Sequence, residues 1–363
     1  MRPCFVVGTR PEIIKMSPII RECSRRGIDF LIIHTGQHYS YQLDGVFFKE
    51  LYLPSPQYNL NVGSGTFSYQ LSTMLSGLEE ILVKEKPSYV LAEGDTNSVL
   101  AAALTASHLL IPFAHVESGL RSYNRQMQEE KNRIIADHVA DIMLPPTEWS
   151  KDILVGEGCP EEKIFVTGNT IVDALTYYLP IAEEASSIGK FGVESRKYFL
   201  VTVHRAENVD YKEVLGRVFT GLETVHRKYG LPLIYPIHPR TRSKVEEFNL
   251  TIPDCVHLID PVGFYDFLVL ENNAALVLTD SGGVQEETCI LNVPCVTLRE
   301  DTERPETINV GSNLLAGTSP ETIVDKADEM LSKATGWPNP FGHGNAAGKT
   351  IDILCDLSSQ DKG

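Results

Sequence analysis

A histidine and a glutamate follow a short apolar run in the segment PFAHVESGL, residues 112–120. His115 and Glu117 come at the far end of this run, where a buried strand holds a side chain more rigidly than a solvent-facing turn does. A carboxylate at the mouth of a sheet is well placed for proton transfer. We therefore treat Glu117 as an acid/base candidate mounted on a strand.

Three more carboxylates suit the same chemistry. Asp95 follows the apolar run SYVLAE, and Glu129 and Glu130 stand together in QEEKNR. Near bound phosphate, partial desolvation raises the pKa of a carboxyl group toward the range of proton transfer. The alternative for Glu129 and Glu130 is a solvated first helical turn, where negative charge suits the helix dipole. Spacing alone favours that alternative for this pair.

The segment TDSGGVQEE, residues 279–287, is the strongest phosphate-binding candidate. An apolar run leads into Ser281, Gly282 and Gly283, and a helical pattern follows. Small residues let backbone N–H groups approach an anion, and the helix dipole favours negative charge there. A tight turn capped by Ser281 is the equally weighted alternative. No P-loop motif and no G-x-G-x-x-G motif stands at a strand–helix junction. The sequence therefore supports neither a P-loop nor a dinucleotide site, which makes hydride transfer a less favoured function.

Cations lie near such turns. Arg10 and Lys15 follow a similar turn in GTRPEIIK, and Arg304 stands beside a proline in TERPE. Arg304 is either a binding cation on a stiffened loop or a solvated surface charge. The histidines do not form a set of three or four metal ligands, so we expect no metal and no cofactor.

The elements that position these residues follow from the alternation of short β-branched runs with helix-length amphipathic stretches, the pattern of parallel βαβ units. One series of predicted strands is near 4–8, 30–35, 88–93, 112–116, 141–144 and 164–167, and a second is near 198–203, 233–237, 256–259, 275–279 and 294–298. In open α/β sheets, ligands bind beyond the carboxyl ends of the strands. Nearly every run here ends in an ionisable residue or glycine. The sequence predicts an α/β protein with two doubly wound halves and a charged interdomain cleft.

The length of 363 residues also indicates two domains, at roughly 100–200 residues each. Residues 180–195 lack strong periodicity and contain Pro, Ser and Gly, which predicts a linker. We expect a first domain over 1–180 that carries the acid/base carboxylates and a second over 190–340. Residues 341–363 are expected to return to the first domain.

Composition excludes several kinds of partner. A net charge of −16 argues against nucleic acid and an anionic membrane surface. No apolar run approaches the ~18 residues that span a bilayer, and the polar start is no secretory signal. The seven cysteines form no C-x-x-C pair, which suits a reducing compartment. We expect a cytoplasmic protein.

Eight segments together resemble the non-hydrolysing UDP-N-acetylglucosamine 2-epimerase family: GTRPEIIKMSP, GDTNSVLA, HVESGLRS, QEEKNRIIADH, FVTGNTIVDA, VTVHRAEN, LTDSGGVQEE and TERPETI. They occur in order between residue 5 and about residue 317. The resemblance implies a GT-B type fold of two Rossmann-like domains, a UDP-sugar in the crevice, a homodimer and a role in polysaccharide biosynthesis.

The family reaction converts UDP-N-acetylglucosamine reversibly to UDP-N-acetylmannosamine. Carbon 2 has no adjacent carbonyl in the ring, so its proton is too weakly acidic for simple abstraction. In the family, UDP leaves carbon 1 as the carbon 2 proton departs, and it adds back to 2-acetamidoglucal while a proton arrives on the opposite face. Such an enzyme needs acid/base groups on both faces of the sugar and must retain UDP throughout.

The resemblance also implies roles for individual residues. The catalytic positions would be Asp95, Glu117, Glu129 and His204. The second domain would bind UDP, and ligand-binding positions across the chain would be Arg10, Lys15, Phe267 beside uracil, Ser281, Gly282 and Gly283 at phosphate, Glu287 at the ribose hydroxyls, and Arg304 at the diphosphate. The positions suited to specificity or to activation by a second substrate molecule would be Arg121, Arg125, Gln42, Gln70 and His238.

Three residues depart from the family pattern. Gln128 replaces a proline before the two glutamates, Glu93 adds a carboxylate two residues before Asp95, and Ser118 replaces a common alanine. The short basic connection after Arg121 resembles the branch that includes epimerases of UDP-2,3-diacetamido-glucuronic acid, with solvated surface charge as the favoured alternative for its arginines. The sequence also allows a GT-B glycosyltransferase or a non-catalytic nucleotide-sugar sensor.

Overall fold

The computed structural model describes residues 1–37 and 47–360. The chain forms two compact units, one made of Met1–Ala174 with Phe341–Gly363 and the other of Leu175–Pro340. Each unit contains one six-stranded sheet.

In the first sheet every paired strand is parallel to its neighbours, and the strands are β1 (Pro3–Val7), β2 (Leu31–His34), β3 (Tyr58–Asn59), β4 (Tyr89–Glu93), β5 (Phe113–Val116) and β6 (Ile142–Leu144). Their order is β3-β2-β1-β4-β5-β6, so the chain winds one way from β1 and then returns to wind the other way. In the central register, Phe5 pairs with Ile32 on one side and Leu91 on the other. The direction reverses between β1 and β4, which is where ligands bind in such sheets.

The second sheet repeats this plan with β7 (Phe199–Thr202), β8 (Leu233–Pro236), β9 (Val256–Ile259), β10 (Leu276–Thr279), β11 (Cys295–Thr297) and β12 (Asn313–Leu315). Its order is β12-β11-β10-β7-β8-β9, so the winding reverses between β7 and β10. Along β7, Phe199 and Val201 belong to one buried cluster, while Leu200 belongs to another. Because successive side chains of a strand point to opposite faces, both faces of this sheet are covered by apolar packing.

Helices connect the strands. From the N-terminus they are α1 (Arg10–Arg26), α2 (Phe67–Glu85), α3 (Asn97–His108), α4 (Gln128–Val139), α5 (Glu148–Gly156), α6 (Thr170–Ala185), α7 (Ala206–Val209), α8 (Lys212–Tyr229), α9 (Pro239–Glu247), α10 (Phe264–Asn273), α11 (Gly282–Ile290), α12 (Pro305–Asn309), α13 (Pro320–Ser332) and α14 (Ala346–Gln360). Two short 3₁₀ turns lie at Glu161–Lys163 and Ile188–Phe191. Helix α14 packs on α1 within the first unit.

The predicted α/β class is confirmed, and most predicted strands are present within one or two residues. The strand predicted near 164–167 is wrong, because Ile164 forms only an isolated bridge with Met143. The short edge strands β3 and β12 were missed, since two or three residues carry no usable periodicity. The first part of the predicted linker is helical, because α6 continues through Pro180 to Ala185.

Candidate active site

Lys15 lies between two carboxyl groups at the carboxyl edge of the first sheet. Its ammonium contacts the Glu117 carboxylate and lies 3.3 Å from a Glu93 oxygen. Glu93 ends β4, Glu117 directly follows β5, and Lys15 is in α1, which begins after β1. All three side chains are at most 8% exposed. A single buried cation therefore lies within ion-pair distance of two carboxyl groups.

The turn that carries Glu117 has an unusual backbone. The φ angle of Glu117 is +64°, in the left-handed region that a side chain of this size rarely adopts. Its N–H donates to the Leu144 carbonyl at the end of β6 over 3.1 Å, and the Gly119 N–H donates to Asp137 over 3.2 Å. A conformation of this kind costs on the order of 1–3 kcal/mol and is typical of functional sites. Hydrogen bonds on both sides of Glu117 thus hold its strained turn.

Asp137 in α4 contacts three residues in and around this turn. It lies 2.6 Å from His115 Nδ1 and 2.7 Å from an Arg121 nitrogen. Burial opposes its ionisation, yet the charges and hydrogen bonds of His115 and Arg121 outweigh burial and lower the pKa of Asp137. The ring of His115 also contacts the Gly94 carbonyl at 2.8 Å. Both ring nitrogens of His115 therefore have partners inside the fold.

Arg121 is buried, so its interpretation as a solvated surface charge is wrong. Besides Asp137, its guanidinium donates to both carboxylate oxygens of Glu157, at 2.9 and 2.6 Å, and to the Leu120 carbonyl. These partners occupy the guanidinium within the first unit, which does not favour contact with a sugar carboxylate. Arg125, by contrast, is exposed.

Arg133 joins two of the predicted carboxylates. Its guanidinium contacts Asp95 and lies 2.7 Å from Glu130. Glu130 is buried and accepts hydrogen bonds from the N–H groups of Ser122 and Tyr123, at 3.0 and 2.8 Å. The expectation of a solvated turn is wrong for Glu130, because its carboxylate closes the loop that precedes α4.

Glu129 differs from its neighbour. It is exposed on the first turn of α4, four residues before Arg133. Residues four apart share a helix face, with roughly 5–6 Å between their Cβ atoms, so Glu129 is on the side of α4 that meets Asp95. The sequence interpretation missed Arg133, although it stands in the QEEKNR segment. A cation one turn beyond a candidate carboxylate was the available signal.

Glu12 is a second buried carboxyl group that the sequence interpretation did not select. It accepts hydrogen bonds from the N–H groups of Gly8 and Thr9, at 2.5 and 2.9 Å, and it contacts the Thr96 hydroxyl. Burial nevertheless raises its pKa to about 7. The spacing Thr9-x-x-Glu12 is that of a capping box, which was the available signal.

In the second unit, Asp280 holds the backbone of His204. The buried Asp280 carboxylate follows β10 and accepts from the N–H groups of His204 and Arg205, which follow β7, at 3.0 and 2.9 Å. His204 Nδ1 lies 3.4 Å from the same carboxylate, and its side chain is 41% exposed. The exposed ring of His238 lies 5.8 Å from the ring of His204. His204 thus lies where the winding of the second sheet reverses, with the ring of His238 beside it.

The predicted phosphate turn forms the start of α11. Ser281 is the N-cap residue, and its hydroxyl accepts from the Val284 N–H. A Cβ atom on Gly282 would lie 2.6 Å from a Glu303 oxygen, so a side chain at this position would displace the Glu303 carboxylate. Glu303 in turn binds Arg205 and Arg299, each at 2.9 Å. The turn thus packs against the Glu303 carboxylate, which is paired with two arginines.

Arg304 is buried, so its interpretation as a solvated surface charge is wrong. Its Nε lies 2.5 Å from Glu286, which is completely buried in α11. The ion pair ties the TERPE loop to the helix of the phosphate turn.

Glu287 and Phe267 occupy the neighbouring helices α11 and α10. Phe267 is half-buried against the apolar cluster of its unit, and Glu287 is also half-buried. Glu271 in α10 is completely buried, and among residues 1–37 and 47–360 no N–H or hydroxyl donor contacts its oxygens. Burial, and then the charge and hydrogen bond of Glu287, raise the pKa of Glu271 well above its ordinary value. Burial beside Glu287 therefore disfavours the charged form of Glu271.

The family model for UDP-N-acetylglucosamine 2-epimerase matches residues 21–355. A UDP-N-acetylglucosamine 2-epimerase of Methanocaldococcus jannaschii is 51% identical over 98% of this chain and 99% of that protein. The chain belongs to the UDP-N-acetylglucosamine 2-epimerase family. A relative from Pseudomonas aeruginosa, a UDP-2,3-diacetamido-2,3-dideoxy-D-glucuronate 2-epimerase, is 38% identical over 98% of this chain and all of that protein.

Solved structures agree with this membership in the epimerase family. The crystal structure of the M. jannaschii enzyme in complex with UDP-GlcNAc and UDP has a TM-score of 0.93, 50% identity, and coverage of 98% of this chain and 99% of that one. The Neisseria meningitidis epimerase bound to UDP-GlcNAc has a TM-score of 0.89, 32% identity, and coverage of 98% and 100%. The predicted GT-B type fold and the predicted enzyme class, an isomerase, are both confirmed.

Two of the remaining predicted positions in this epimerase-family chain, Gln70 and Arg10, make contacts with other described residues. The Gln70 amide is buried and binds the carbonyls of Gln37 and Gly63 and the side chain of Asn97. The Arg10 guanidinium lies 5.5 Å from the centre of the Phe47 ring. Gln42 lies outside the described residues.

Metal ligands and membrane spans are both absent from the described part of the chain. No group of three or more His, Cys, Asp and Glu side chains there has the arrangement to hold a metal ion. No helix among the same residues is long and apolar enough to span a membrane.

Proposed function

We propose that this member of the family catalyses the reversible epimerisation of carbon 2 in UDP-N-acetylglucosamine, giving UDP-N-acetylmannosamine. The observation that carries the proposal is the buried contact of Glu117 with Lys15 at the carboxyl edge of the first sheet. The M. jannaschii epimerase, 50% identical and solved with UDP-GlcNAc and UDP, supports the choice of substrate.

The proposed reaction proceeds by elimination and re-addition. A carboxylate takes the proton from carbon 2 while the bond between carbon 1 and the UDP oxygen breaks, which leaves 2-acetamidoglucal and UDP. UDP then adds back to carbon 1 as a second acid delivers a proton to the other face of carbon 2. Asp95, Glu117 and Glu129 are the proposed acid/base groups. Lys15 contacts Glu117 and Arg133 contacts Asp95, while Glu129 precedes Arg133 by four residues on α4.

The proposed role of the second unit is to hold UDP through both steps. The N-terminus of α11 offers N–H groups to phosphate behind Ser281, and its dipole favours the anion. Arg304, paired with Glu286 of α11, is the proposed diphosphate contact, and His204 is half-exposed with its backbone held by Asp280. In this assignment Glu287 binds the ribose hydroxyls and Phe267 contacts uracil. Arg10 completes the set of ligand contacts from the first unit.

Heavy-water NMR tests this proposal directly. The protein is incubated with UDP-N-acetylglucosamine in D₂O, and deuterium at carbon 2 is followed together with the appearance of the manno epimer. Elimination and re-addition put solvent deuterium on carbon 2 of the product. Recovery of unlabelled UDP-N-acetylmannosamine would exclude the mechanism, and no epimer at all would exclude the function. The Glu117→Gln variant is expected to form neither the manno epimer nor a product with deuterium on carbon 2.

UDP-2,3-diacetamido-2,3-dideoxy-glucuronate is the alternative substrate, because a P. aeruginosa enzyme named for it is 38% identical. The occupied guanidinium of Arg121 favours the uncharged sugar, because it leaves only the exposed Arg125 of the two arginines predicted to meet a sugar carboxylate. Comparing kcat/KM for the two UDP-sugars under identical conditions decides between them. A homodimer and a cytoplasmic location remain predictions, the first of which sedimentation measures.

A further inference from the structure

Glu93 is a buried carboxyl group that the proposed reaction does not yet use. It ends β4 with 3% of its surface exposed, and its oxygen lies 3.3 Å from the Lys15 ammonium. The same ammonium contacts Glu117, which directly follows β5, the neighbouring strand. The register aligns Glu93 with Val116, one residue before Glu117. Adjacent strands thus bring the two carboxyl groups to one cation.

Carboxyl groups outnumber the cation around Glu93. From α1, Lys15 and Glu12 face it, and from the end of β5 Glu117 does. Burial raises the pKa of Glu93 well above its ordinary value, and the charges of Glu117 and Glu12 add to this effect while Lys15 opposes it. Two ionised carboxylates in contact with one buried ammonium would leave a net negative charge without water to solvate it.

Protonation of one partner resolves this excess of charge. A protonated carboxyl group has one O–H donor, whereas a carboxylate only accepts. Glu93 and Glu117 both reach the Lys15 ammonium, so a proton held by one of them can be donated in a hydrogen bond to the other. Glu117 makes the closer contact with Lys15, and this contact stabilises its charged form. The proton therefore belongs to Glu93.

We propose that Glu93 is a positioning residue for Glu117: as a neutral acid it donates a hydrogen bond to the Glu117 carboxylate and leaves that carboxylate as the ionised partner of Lys15. The proposal rests on the acid/base role of Glu117 in the proposed function. It assigns a use to the carboxyl group that departs from the family pattern. It also predicts an alkaline limit to activity, because ionisation of Glu93 removes the donor and adds a second charge beside Lys15.

Two substitutions at position 93 separate the donor from its ability to ionise. In Glu93→Gln the amide keeps an N–H donor of similar shape but cannot become an anion. In Glu93→Leu the donor is absent. We expect kcat of Glu93→Gln at neutral pH to fall less than roughly tenfold, and kcat of Glu93→Leu to fall roughly 100-fold, the lower end of the usual acid/base contribution. KM should change less than threefold in both.

A merely structural role of Glu93 would leave the pH dependence of kcat unchanged, so this dependence tests the positioning role. For the wild type, kcat measured by deuterium exchange at carbon 2 should decline at alkaline pH. In Glu93→Gln this decline should vanish or shift upward by at least one pH unit. An alkaline decline that is identical in Glu93→Gln and the wild type would overturn the proposal. Wild-type kcat in Glu93→Leu at every pH would also overturn it.

Infrared spectroscopy supplies a test that does not depend on turnover. At neutral pH the wild type should show a carbonyl band of protonated carboxyl groups, and Glu93→Gln should lose part of it. An unchanged band in Glu93→Gln would show that Glu93 is ionised and would refute the proposal. If the wild type exchanges no deuterium, the proposed function fails and the positioning role fails with it. The band still decides the protonation state of Glu93 in that case.

Discussion

Lys15 and Glu117 form a buried ion pair although 102 positions separate them in the chain. Helix α1 supplies the cation and the turn after β5 supplies the anion, so the contact exists only when β1, β4 and β5 are assembled side by side. Because both side chains are at most 8% exposed, solvent does little to weaken this pair.

Replacing Lys15 with Gln should abolish most activity and destabilise the first unit. Two buried carboxyl groups would lose the cation that they share, and breaking a buried pair costs roughly 3–5 kcal/mol. The pKa of Glu117 should rise, so the remaining activity should need a higher pH. Epimerisation rates across pH and urea unfolding measure both effects. Lys151→Gln is the matched control, since its partner Glu161 is exposed to solvent, and its rate and stability should match the wild type.

The neighbours Glu129 and Glu130 should respond in opposite ways to substitution by Gln. Glu130→Gln should lower the free energy of unfolding by roughly 3 kcal/mol, because Arg133 loses a buried carboxylate partner. Glu129→Gln should change stability by less than about 0.5 kcal/mol, since the side chain is exposed. Its kcat should nevertheless fall by roughly 10²–10⁴-fold if Glu129 transfers a proton. Full activity in Glu129→Gln would remove it from the catalytic set.

Glu12 should make the protein less stable as the pH rises from about 4.5 to about 7. Its pKa is about 7 in the folded chain against an ordinary 4.5, so the folded state holds the proton more tightly. The resulting stabilisation is complete below pH 4.5 and is lost as the pH rises through 7, an effect of about 3 kcal/mol. Unfolding free energies at several pH values, compared between wild type and Glu12→Gln, isolate this contribution. Parallel curves for the two proteins would contradict it.

Gly282→Ala should weaken UDP binding without changing any charge. The new Cβ atom would lie 2.6 Å from Glu303, which must then shift and disturb its bonds to Arg205 and Arg299. We expect a loss of at least tenfold in affinity, measured by calorimetry with UDP. Gly216→Ala is the control, because among residues 1–37 and 47–360 its Cβ would meet only Leu250, at an ordinary 3.9 Å. Equal affinities for these two variants would show that the turn tolerates a side chain.

Local patterns in the sequence determined the element types and the ends of most strands. The run FAHV between Pro112 and Glu117 predicts a buried strand with a carboxylate at its end, and the structure has β5 there. TDSGGVQEE likewise predicts a strand, a turn and a helix capped by Ser281, all of which are present. Such features depend on neighbours within a few residues, so one-dimensional periodicity and capping rules reach them.

Only the tertiary structure decided which charged groups meet and which are buried. The sequence favoured a surface charge for Arg121 and Glu130 and left it as one of two alternatives for Arg304, yet each is buried against a partner of opposite sign. The partner lies between three and 18 residues away in the chain, and for Lys15 and Glu117 the separation is 102. The pKa of a carboxyl group depends on the solvent it loses and on the charges it gains when strands and helices assemble. Neither quantity exists until the chain is folded, which is why composition and spacing identified Glu117 but not its contact with Lys15 or its link to Glu93.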